Sequence, residues 1–404
     1  MKVKIKSKKT FVLIIVMAII LGVLFGAVLI NRDKAAVDKN VLEVQKQKLE
    51  AQKLETTENN IDRLNEKLEN LENKAEDSNI SVVPTMDDEI TGDAAYCPTF
   101  QLVWNDMLDY MLNGKPVEFL NGTLEIADNL NKKTFTSKDI SEEYYYTKHG
   151  PMVVAVRDEI KNAIKEKFDE EKSIVDTFDW DEGEDSNRHI FYAMLKRVFN
   201  FEYPFDVLNE GKFEEYNNAK YFGTKDTSDS ILKTQVDVLF YDDSDNLAIK
   251  LSTKTNDEVI LVKTKEEVKT FNDVYSLVST KSKSYSDNEL KTMEQIRIPN
   301  LSFDIKKEYD EFVGKKFLDK DGKDVEIEKA IQTIEFELDN EGGKVLSEAA
   351  IITKTNAIVF DEERYFNFTS DFYVFVKEAD KTKPYLAVAV DDLASFQEDL
   401  TKAN

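Results

Sequence analysis

The strongest constraint in this sequence is an uncharged, apolar run over residues 11–30. A helix of that length measures ~30 Å, which matches the hydrocarbon core of a bilayer. Five lysines lie within residues 2–9, and such a basic flank stays on the cytoplasmic side. A cleaved signal peptide, the alternative, has a shorter apolar region of ~7–15 residues. The sequence therefore predicts a basic cytoplasmic tail over residues 1–10 and a single-pass anchor over residues 11–30, with the C-terminal domain outside the cell membrane.

A polar segment without Gly or Pro follows at residues 35–78 and carries an apolar residue at every seventh position. The repeat comprises Leu54, Ile61, Leu68 and Ala75, with Leu64 and Leu71 at the complementary positions. This pattern predicts a coiled-coil stalk that pairs two copies of the chain, and it also suits a single solvated helix. Residues 79–97 contain Pro84 and Gly92 without periodicity and are interpreted as a linker. The outer domain then spans residues 98–404.

Composition excludes several functions for this chain. There are 54 Lys+Arg against 79 Asp+Glu, a formal net charge of −25, which argues against a nucleic-acid partner. Two histidines, His149 and His189, and one cysteine, Cys97, cannot form a His/Cys zinc cage. The acidic segments 179–185 and 319–330 lack the ligand spacing of an EF-hand loop. We therefore expect no metal and no cofactor, and we expect that the protein is not an enzyme.

The outer domain mixes two periodicities. Apolar residues at helical spacing predict helices over residues 99–113 and 151–171. Alternation predicts strands later in the chain, at 235–241, 246–251, 258–263, 332–338, 372–377 and 385–390. Short polar connections join the first two strands and the last two strands into hairpins. The fold class is therefore α+β, with the helices early and large mixed or antiparallel sheets late.

Several short motifs of this domain occur in a characteristic order. They are FNFEYPFD at 199–206, IRIPNLSFDIKKEYDEF at 296–312, the pair Glu341 and Gly342, and FYVFVKEADKTKPYLAVAVDD at 372–392. In order and spacing, residues 120–404 resemble the serpin family. The resemblance implies a strand at 124–131, a helix across the main sheet at 157–168, a run of strands at 221–263, and a strand followed by a helix at 296–312.

The resemblance also implies a function. A serpin presents a loop as bait to a protease, and cleavage lets that loop enter a sheet as a new strand and distort the attached protease. The implied partner is an extracellular protease of the serine or cysteine class. The implied reactive loop lies around residues 342–371, and its hinge comprises Glu341, Gly342, Gly343, Val345, Ser347 and Ala349. An ungapped count places the cleaved bond between Asn356 and Ala357, and a shift of two residues places it between Lys354 and Thr355, which would suit a trypsin-like target.

The residues after Glu341 can be buried as a strand on one side only. One face of such a strand would carry no charge, so burying that face leaves no charge in the core. The residues of this uncharged face are Gly343, Val345, Ser347, Ala349 and Ile351. An ordinary surface hairpin would alternate in the same way. The bulky or charged Val345, Leu346 and Glu348 would slow insertion.

The domain also departs from the family pattern. The helices expected between Asn113 and Leu124 are missing, Phe201 replaces a tryptophan and Gln332 replaces a histidine. Two readings besides inhibition therefore stay open. One is a non-inhibitory surface binding or scaffold module that keeps the fold, and the other is an envelope-assembly component unrelated to serpins.

Overall fold

The computed structural model describes residues 79–343 and 364–402, apart from residues 172, 226, 227 and 229. The predicted basic tail, the transmembrane anchor at 11–30 and the coiled-coil stalk at 35–78 lie outside the described residues. In the part of the chain that is described, no helix has the length and apolar character needed to cross a membrane.

The described chain contains five α-helices. They are α1 (Thr99–Leu112), α2 (Glu125–Asn131), α3 (Val154–Phe168), α4 (Ser230–Lys233) and α5 (Phe271–Lys281). The helices predicted over residues 99–113 and 151–171 are confirmed as α1 and α3. Helix α1 buries Leu102, Trp104 and Leu108 on its inner face, as its apolar spacing predicts.

Twenty-one strands are described. The first ten are β1 (Ser81–Val83), β2 (Ala94–Tyr96), β3 (Tyr145–Pro151), β4 (His189–Leu195), β5 (Phe199–Asn200), β6 (Asp206–Val207), β7 (Gly211–Phe213), β8 (Tyr216–Ala219), β9 (Tyr221–Thr224) and β10 (Val236–Asp243). The others are β11 (Asn246–Ser252), β12 (Asp257–Lys263), β13 (Gln295–Pro299), β14 (Leu301–Glu308), β15 (Lys316–Leu318), β16 (Asp324–Glu326), β17 (Ile331–Leu338), β18 (Gly342–Gly343), β19 (Tyr365–Asn367), β20 (Phe372–Glu378) and β21 (Leu386–Val390). The α+β fold class is thereby confirmed for the described residues.

The largest sheet has seven strands in the order β1-β2-β21-β20-β12-β11-β10. Both predicted hairpins, β10 with β11 and β20 with β21, are antiparallel pairs in it. Strand β12 contributes Leu261 to one buried apolar cluster and Ile260 to a second cluster, which includes Phe271 of α5. The two faces of the sheet are therefore both covered, and successive residues of its central strands point to opposite clusters.

The interpretation of residues 79–97 as a linker is wrong for two short segments. Strand β1 pairs in parallel with β2, and β2 pairs antiparallel with β21 near the end of the chain. Each strand has only three residues, too few to show alternation in the sequence. Pairing with a hydrophobic partner strand supplies the stability that local pattern lacks.

Two antiparallel ribbons lie apart from the large sheet. The first is the β3–β4 ribbon, in which Tyr145 pairs with Leu195 and Pro151 with His189. The second is the β14–β17 ribbon, in which Leu301 pairs with Leu338. Helix α1 contacts both ribbons: it packs against β3 and β4 of the first and against β17 of the second. Helix α3 covers the first ribbon, where its Ile160 and Ile164 join Ile190 and Tyr192 in one buried cluster.

Two expectations drawn from the family resemblance are wrong. Residues 124–131 form helix α2 rather than a strand, and the helix buries Ala127 and Leu130, three residues apart on one face. Helical spacing brings those two side chains together against α1, which an alternating strand would not do. The helix expected at the end of 296–312 is reduced to the 3-10 turn Asp310–Phe312, after strands β13 and β14.

A four-stranded sheet in the order β19-β13-β9-β6 completes the part of the fold that concerns the site. Strand β19 pairs in parallel with β13, and β13 pairs antiparallel with β9. Strand β19 is the first element after residue 363, so this sheet receives the chain where it re-enters the described structure.

Candidate functional site

The chain reverses direction at the end of β17. The backbone N–H of Asp339 donates to the carbonyl of Gly342 at 3.0 Å, and the N–H of Gly342 donates back at 3.4 Å. The carboxylate of Asp339 also accepts the N–H of Glu341 at 2.8 Å, a local bond typical of Asp in turns. The turn places β18 beside β5, so that Gly342 pairs with Asn200 and Gly343 with Phe199 in antiparallel register.

Gly342 is a position where only glycine fits. Its φ is +130°, and a Cβ atom there would lie 2.5 Å from the carbonyl oxygen of Phe199 and 2.7 Å from Cα of Asn200. Both contacts are with backbone atoms, which cannot move aside as a flexible side chain could. The Glu-Gly pair seen in the sequence is thus explained by the close approach of two main chains.

Further backbone bonds fix the start of the segment. The N–H of Phe201 donates to the carbonyl of Glu341 at 2.9 Å, and the N–H of Phe205 donates to that of Asn340 at 2.8 Å. The ring of Phe201 is fully buried and packs edge-on against Phe205 at a centroid distance of 4.9 Å. Phe201, which the sequence resemblance sets in the place of a tryptophan, therefore lies next to the glycine turn.

The strand ladder that connects the two ribbons lies at this turn. Among the described residues, no strand ladder joins β4 to β17, whereas β5, which follows β4, pairs with β18, which follows β17. Because β18 runs antiparallel to β5, the chain at Gly343 heads back along the direction from which β4 came.

A hydrogen-bonded amide lies beneath β17. Gln332 is buried, and its Nε2 donates to the carbonyl of Cys97 at 2.8 Å and to Oγ1 of Thr99 at 2.9 Å. The hydroxyl of Tyr309 donates to Oε1 of the same amide at 2.8 Å. Burial raises the pKa of the Cys97 thiol to about 11, which makes it a poor nucleophile. Gln332 therefore links β17 to the start of α1 through a network that does not change with pH.

A buried ion pair joins the first ribbon to the large sheet. Nε of Arg197, between β4 and β5, donates to both carboxylate oxygens of Asp257 at 3.0 and 2.9 Å. The hydroxyl of Tyr385 donates to the same carboxylate at 2.9 Å. The Arg197 and Asp257 side chains are 5% and 0% exposed. The residues after β4 are therefore held against β12 by charge-assisted, bidentate hydrogen bonds.

The other end of the undescribed segment is anchored by Arg364. Its Nε donates to Oε1 of Glu294 at 2.6 Å, and one terminal nitrogen donates to Oε2 at 2.8 Å. The remaining donors reach the hydroxyl of Tyr285 and the carbonyls of Asp287 and Glu289 at 2.7–2.8 Å. Burial would lower the pKa of Arg364, but the hydrogen bonds and the charge of Glu294 outweigh it and raise that pKa.

The predicted site residues divide into two groups. Glu341, Gly342 and Gly343 lie in the turn and in β18, where the sequence placed the hinge. The others lie outside the described residues: Val345, Ser347, Ala349, Lys354, Thr355, Asn356 and Ala357. Sequence reasoning missed the Arg364 anchor, because Glu294 is 70 positions away in the chain and nothing local marks either residue as a partner.

Several solved structures resemble this chain. No protein-family profile and no curated protein matches the sequence. The solved structures that resemble the chain include Serpin48 of the insect Tenebrio molitor, 10% identical with a TM-score of 0.43 over 74% of this chain and 92% of that one. A second is the thermophilic serpin tengpin in its native state, which is 10% identical with a TM-score of 0.43 over 77% of this chain and 90% of that one. A third is human thyroxine-binding globulin in complex with thyroxine, which is 10% identical with a TM-score of 0.44 over 74% of this chain and 91% of that one.

These structures belong to the family that the sequence motifs resemble.

Proposed function

We propose that this protein is a membrane-anchored, serpin-like inhibitor of an extracellular protease. The observation that carries the proposal is the placement of β18. Gly342 and Gly343 already pair with β5, and they do so where the β3–β4 and β14–β17 ribbons meet. The bait is residues 344–363, between two fixed ends.

Inhibition would proceed through cleavage of the bait. A protease serine or cysteine attacks the carbonyl carbon of Asn356, the bond to the nitrogen of Ala357 breaks, and an acyl-enzyme forms. The alternative bond is that between Lys354 and Thr355. The freed segment then extends β18 between β4 and β17 and carries the attached protease with it.

Two physical effects favour insertion. Each ladder hydrogen bond formed to β4 or β17 contributes ~0.5–1.5 kcal/mol. The inserted strand turns its uncharged face toward the core, and that face carries Gly343, Val345, Ser347, Ala349 and Ile351. The opposite face, which includes Lys344 and Glu348, stays in water, so insertion does not bury their charges.

The location is part of the proposal. The apolar run at 11–30 and the lysines before it support a single-pass anchor with the C-terminal domain outside, and the repeat at 35–78 supports a paired stalk. Protease added to intact cells should digest the domain and spare the tail. Survival of the whole chain under that treatment would contradict the outward orientation.

A non-inhibitory binding or scaffold module is the second candidate. It is favoured by the tightly bonded Gln332 amide, which ties β17 to the start of α1 and resists movement of the ribbon. Such a module would keep the fold and the anchored segment but gain no stability after cleavage.

The test is limited cleavage followed by thermal unfolding. The purified protein is cut within residues 344–363 by a nonspecific protease, and the expected result is a Tm well above that of the uncut protein. An unchanged Tm would favour the binding module. Incubation with trypsin-like and Asn-specific proteases, followed by a denaturing gel, should show a band at the summed mass of inhibitor and protease.

A matched pair of variants sharpens the test. Ser347→Arg places a charge on the core-facing side of the inserting strand and should abolish the gain in Tm. Leu346→Arg places the same charge on the water-facing side of that strand and should leave the gain in Tm intact. Equal behaviour of the two variants would argue against strand insertion.

A further inference from the structure

Strand β3 uses only alternate residues to bond to β4. Just outside its two ends, the N–H of Lys196 donates to the carbonyl of Tyr144 at 3.0 Å, and the N–H of Met152 donates to that of Arg188 at 2.8 Å. The register between these two bonds is unbroken. In an antiparallel ladder the residues that bond to the partner alternate with residues whose main-chain groups point the other way. Every second residue of β3 therefore presents its N–H and C=O groups away from β4.

These outward groups form the outer edge of β3. They belong to Tyr145, Thr147 and His149, and no described residue bonds to them. The packing elements lie on the two faces of the strand and not at this edge. The His149 ring lies 4.4 Å from that of Tyr110 in α1, and Tyr146 packs into the buried cluster that α3 forms on the opposite face. The outer edge is therefore an unpaired strand edge between two covered faces.

Comparable edges elsewhere in the described chain are closed. At β10, the N–H of Val238 donates to the carbonyl of Asn288 at 2.7 Å, and the Asn288 side chain donates to the carbonyl of Val238 at 3.1 Å. At β14, the N–H of Ser302 donates to the carbonyl of Phe396 at 3.1 Å. Strand β3 has no such cover, no register shift, and no proline before its last residue. An edge of this kind pairs readily with another chain.

The sequence of β3 is complementary to itself. In an antiparallel pair of two β3 strands centred on Thr147, each Thr147 lies opposite the other, and Tyr145 lies opposite His149 of the second copy. All of these residues have outward main-chain groups, so each opposed pair exchanges two hydrogen bonds. Threonine pairs and aromatic pairs across strands are both stabilising.

The other face of the strand fits the same register. Tyr146 comes to lie opposite Lys148 of the second copy, where a ring and an ammonium attract each other. Lys148 Nζ bonds to Glu159 of α3 at 2.5 Å, which holds the ammonium on the face where Tyr146 packs. A shift of two residues one way would set the two Lys148 side chains opposite each other. A shift the other way would leave His149 without a strand residue to pair with.

We infer that the outer edge of β3 is the surface through which two copies of this chain pair, antiparallel and centred on Thr147. The pair forms a continuous sheet in the order β4-β3-β3-β4. Its occupant is a second copy because this strand matches itself in one register without opposing like charges. The seven-residue repeat at 35–78, a separate sequence signal, also predicts two copies side by side. The far edge of each β4 stays free, so the inference does not depend on the proposed inhibition.

A cysteine at the centre of the pair tests the inference in the full-length protein. In a hydrogen-bonded antiparallel pair the two Cα atoms lie about 5.5 Å apart, a separation that a disulfide spans. Oxidised Thr147→Cys should therefore run as a covalent dimer on a non-reducing gel. The native Cys97 is buried and does not compete.

Thr177→Cys is the matched control. Thr177 is an exposed threonine in the 3-10 turn Ile174–Thr177, outside β3. Its cross-linking measures random collisions, including those between copies that are held together elsewhere. We expect Thr147→Cys to cross-link at least about tenfold faster, because its thiols are held at bonding distance. Equal rates for the two variants would overturn the inference.

Hydrogen exchange of β3 provides a second measurement. Thr147→Pro removes an N–H that does not bond to β4, so the ribbon keeps its own ladder, whereas the pair loses its central bonds. Amides of Tyr145 and His149 should exchange at least about tenfold faster in this variant than in the unmodified protein. Thr147→Val keeps the N–H and should keep the protection.

Two outcomes of the exchange experiment contradict the inference. Rapid exchange of Tyr145 and His149 in the unmodified protein would show that the outer edge of β3 is unpaired. Slow exchange without rapid cross-linking of Thr147→Cys would show that a different protein or another segment of this chain occupies the edge.

Discussion

The seven-stranded sheet and the two ribbons differ in how completely their strands are paired. Strand β12 is laddered to β11 on one edge and to β20 on the other, whereas among the described residues β4 is laddered only to β3 and β17 only to β14. Both regions are built from alternating sequences that bury aliphatic and aromatic side chains. Strand pairing, rather than composition, therefore distinguishes the large sheet, whose central strands have both edges occupied, from the ribbons, whose strands β4 and β17 are each paired on one edge in the described structure.

Hydrogen exchange should show the largest contrast between the two regions. Amides of β12 should exchange only through global unfolding, which requires ~5–15 kcal/mol. Alternate amides of β4, those that do not point to β3, should exchange at far lower cost in the uncut protein and become protected after cleavage. Equal protection of β4 and β12 before cleavage would show that the ribbons are already closed.

Breaking the contact between the two regions should have the next largest effect. Arg197→Ala leaves the carboxylate of Asp257 buried without its charged partner, which should lower the free energy of unfolding by ~3–5 kcal/mol. Denaturant unfolding measures the loss. Arg188→Ala removes a half-exposed arginine that bonds to Glu328, and it should cost less than ~1 kcal/mol. Similar losses in the two variants would mean that the Asp257 pair does not hold the regions together.

Gly342→Ala tests the junction of the ribbons directly. The added Cβ meets the backbone of Phe199 and Asn200, and the backbone at φ +130° is strained for alanine, so we expect a loss of ~2–3 kcal/mol. Gly314→Ala is the matched control. Its φ is +77°, and its Cβ would meet nothing within 4 Å, so only the strain of ~1 kcal/mol remains. A smaller loss at Gly342 than at Gly314 would contradict the close approach of β18 to β5.

The smallest expected effect is a pH dependence of stability at Glu214, next to the start of strand β20. Glu214 lies between β7 and β8, and its N–H donates to the carbonyl of Thr369 at 3.1 Å. Burial, and then the charge and hydrogen bond of Asp371, raise the pKa of Glu214 from 4.5 to about 7. The folded state therefore favours the protonated form, so this stabilisation is complete below pH 4.5 and is lost as the pH rises through 7.

Replacement by glutamine removes that dependence. Between pH 6 and pH 8 the unmodified protein should lose ~0.5–1 kcal/mol relative to Glu214→Gln, because solvent screens this largely exposed side chain. Thermal unfolding at several pH values measures the difference. Parallel curves for the two proteins would show that Glu214 and Asp371 do not repel each other in the folded state.

Much of the fold could be predicted because the signals are local. Helix α1 and the hairpins β10–β11 and β20–β21 each show their period within about fifteen residues. The pair of Glu341 and Gly342 is recognisable in the sequence as part of the family resemblance, and the close backbone approach at Gly342 accounts for its glycine. Strand β1 has three residues and no period of its own, and α2 has seven, too few to distinguish two periodicities.

The sequence by itself indicated helices α1 and α3, the two hairpins of the large sheet and the likeness of the motif order to serpins. Tertiary structure decided that β1 and β2 extend the large sheet, that β18 pairs with β5, and that Arg364 bonds to Glu294. The physical reason is range. Periodicity and backbone conformation depend on neighbours along the chain, whereas strand order and buried ion pairs depend on residues that become neighbours only when the whole core assembles.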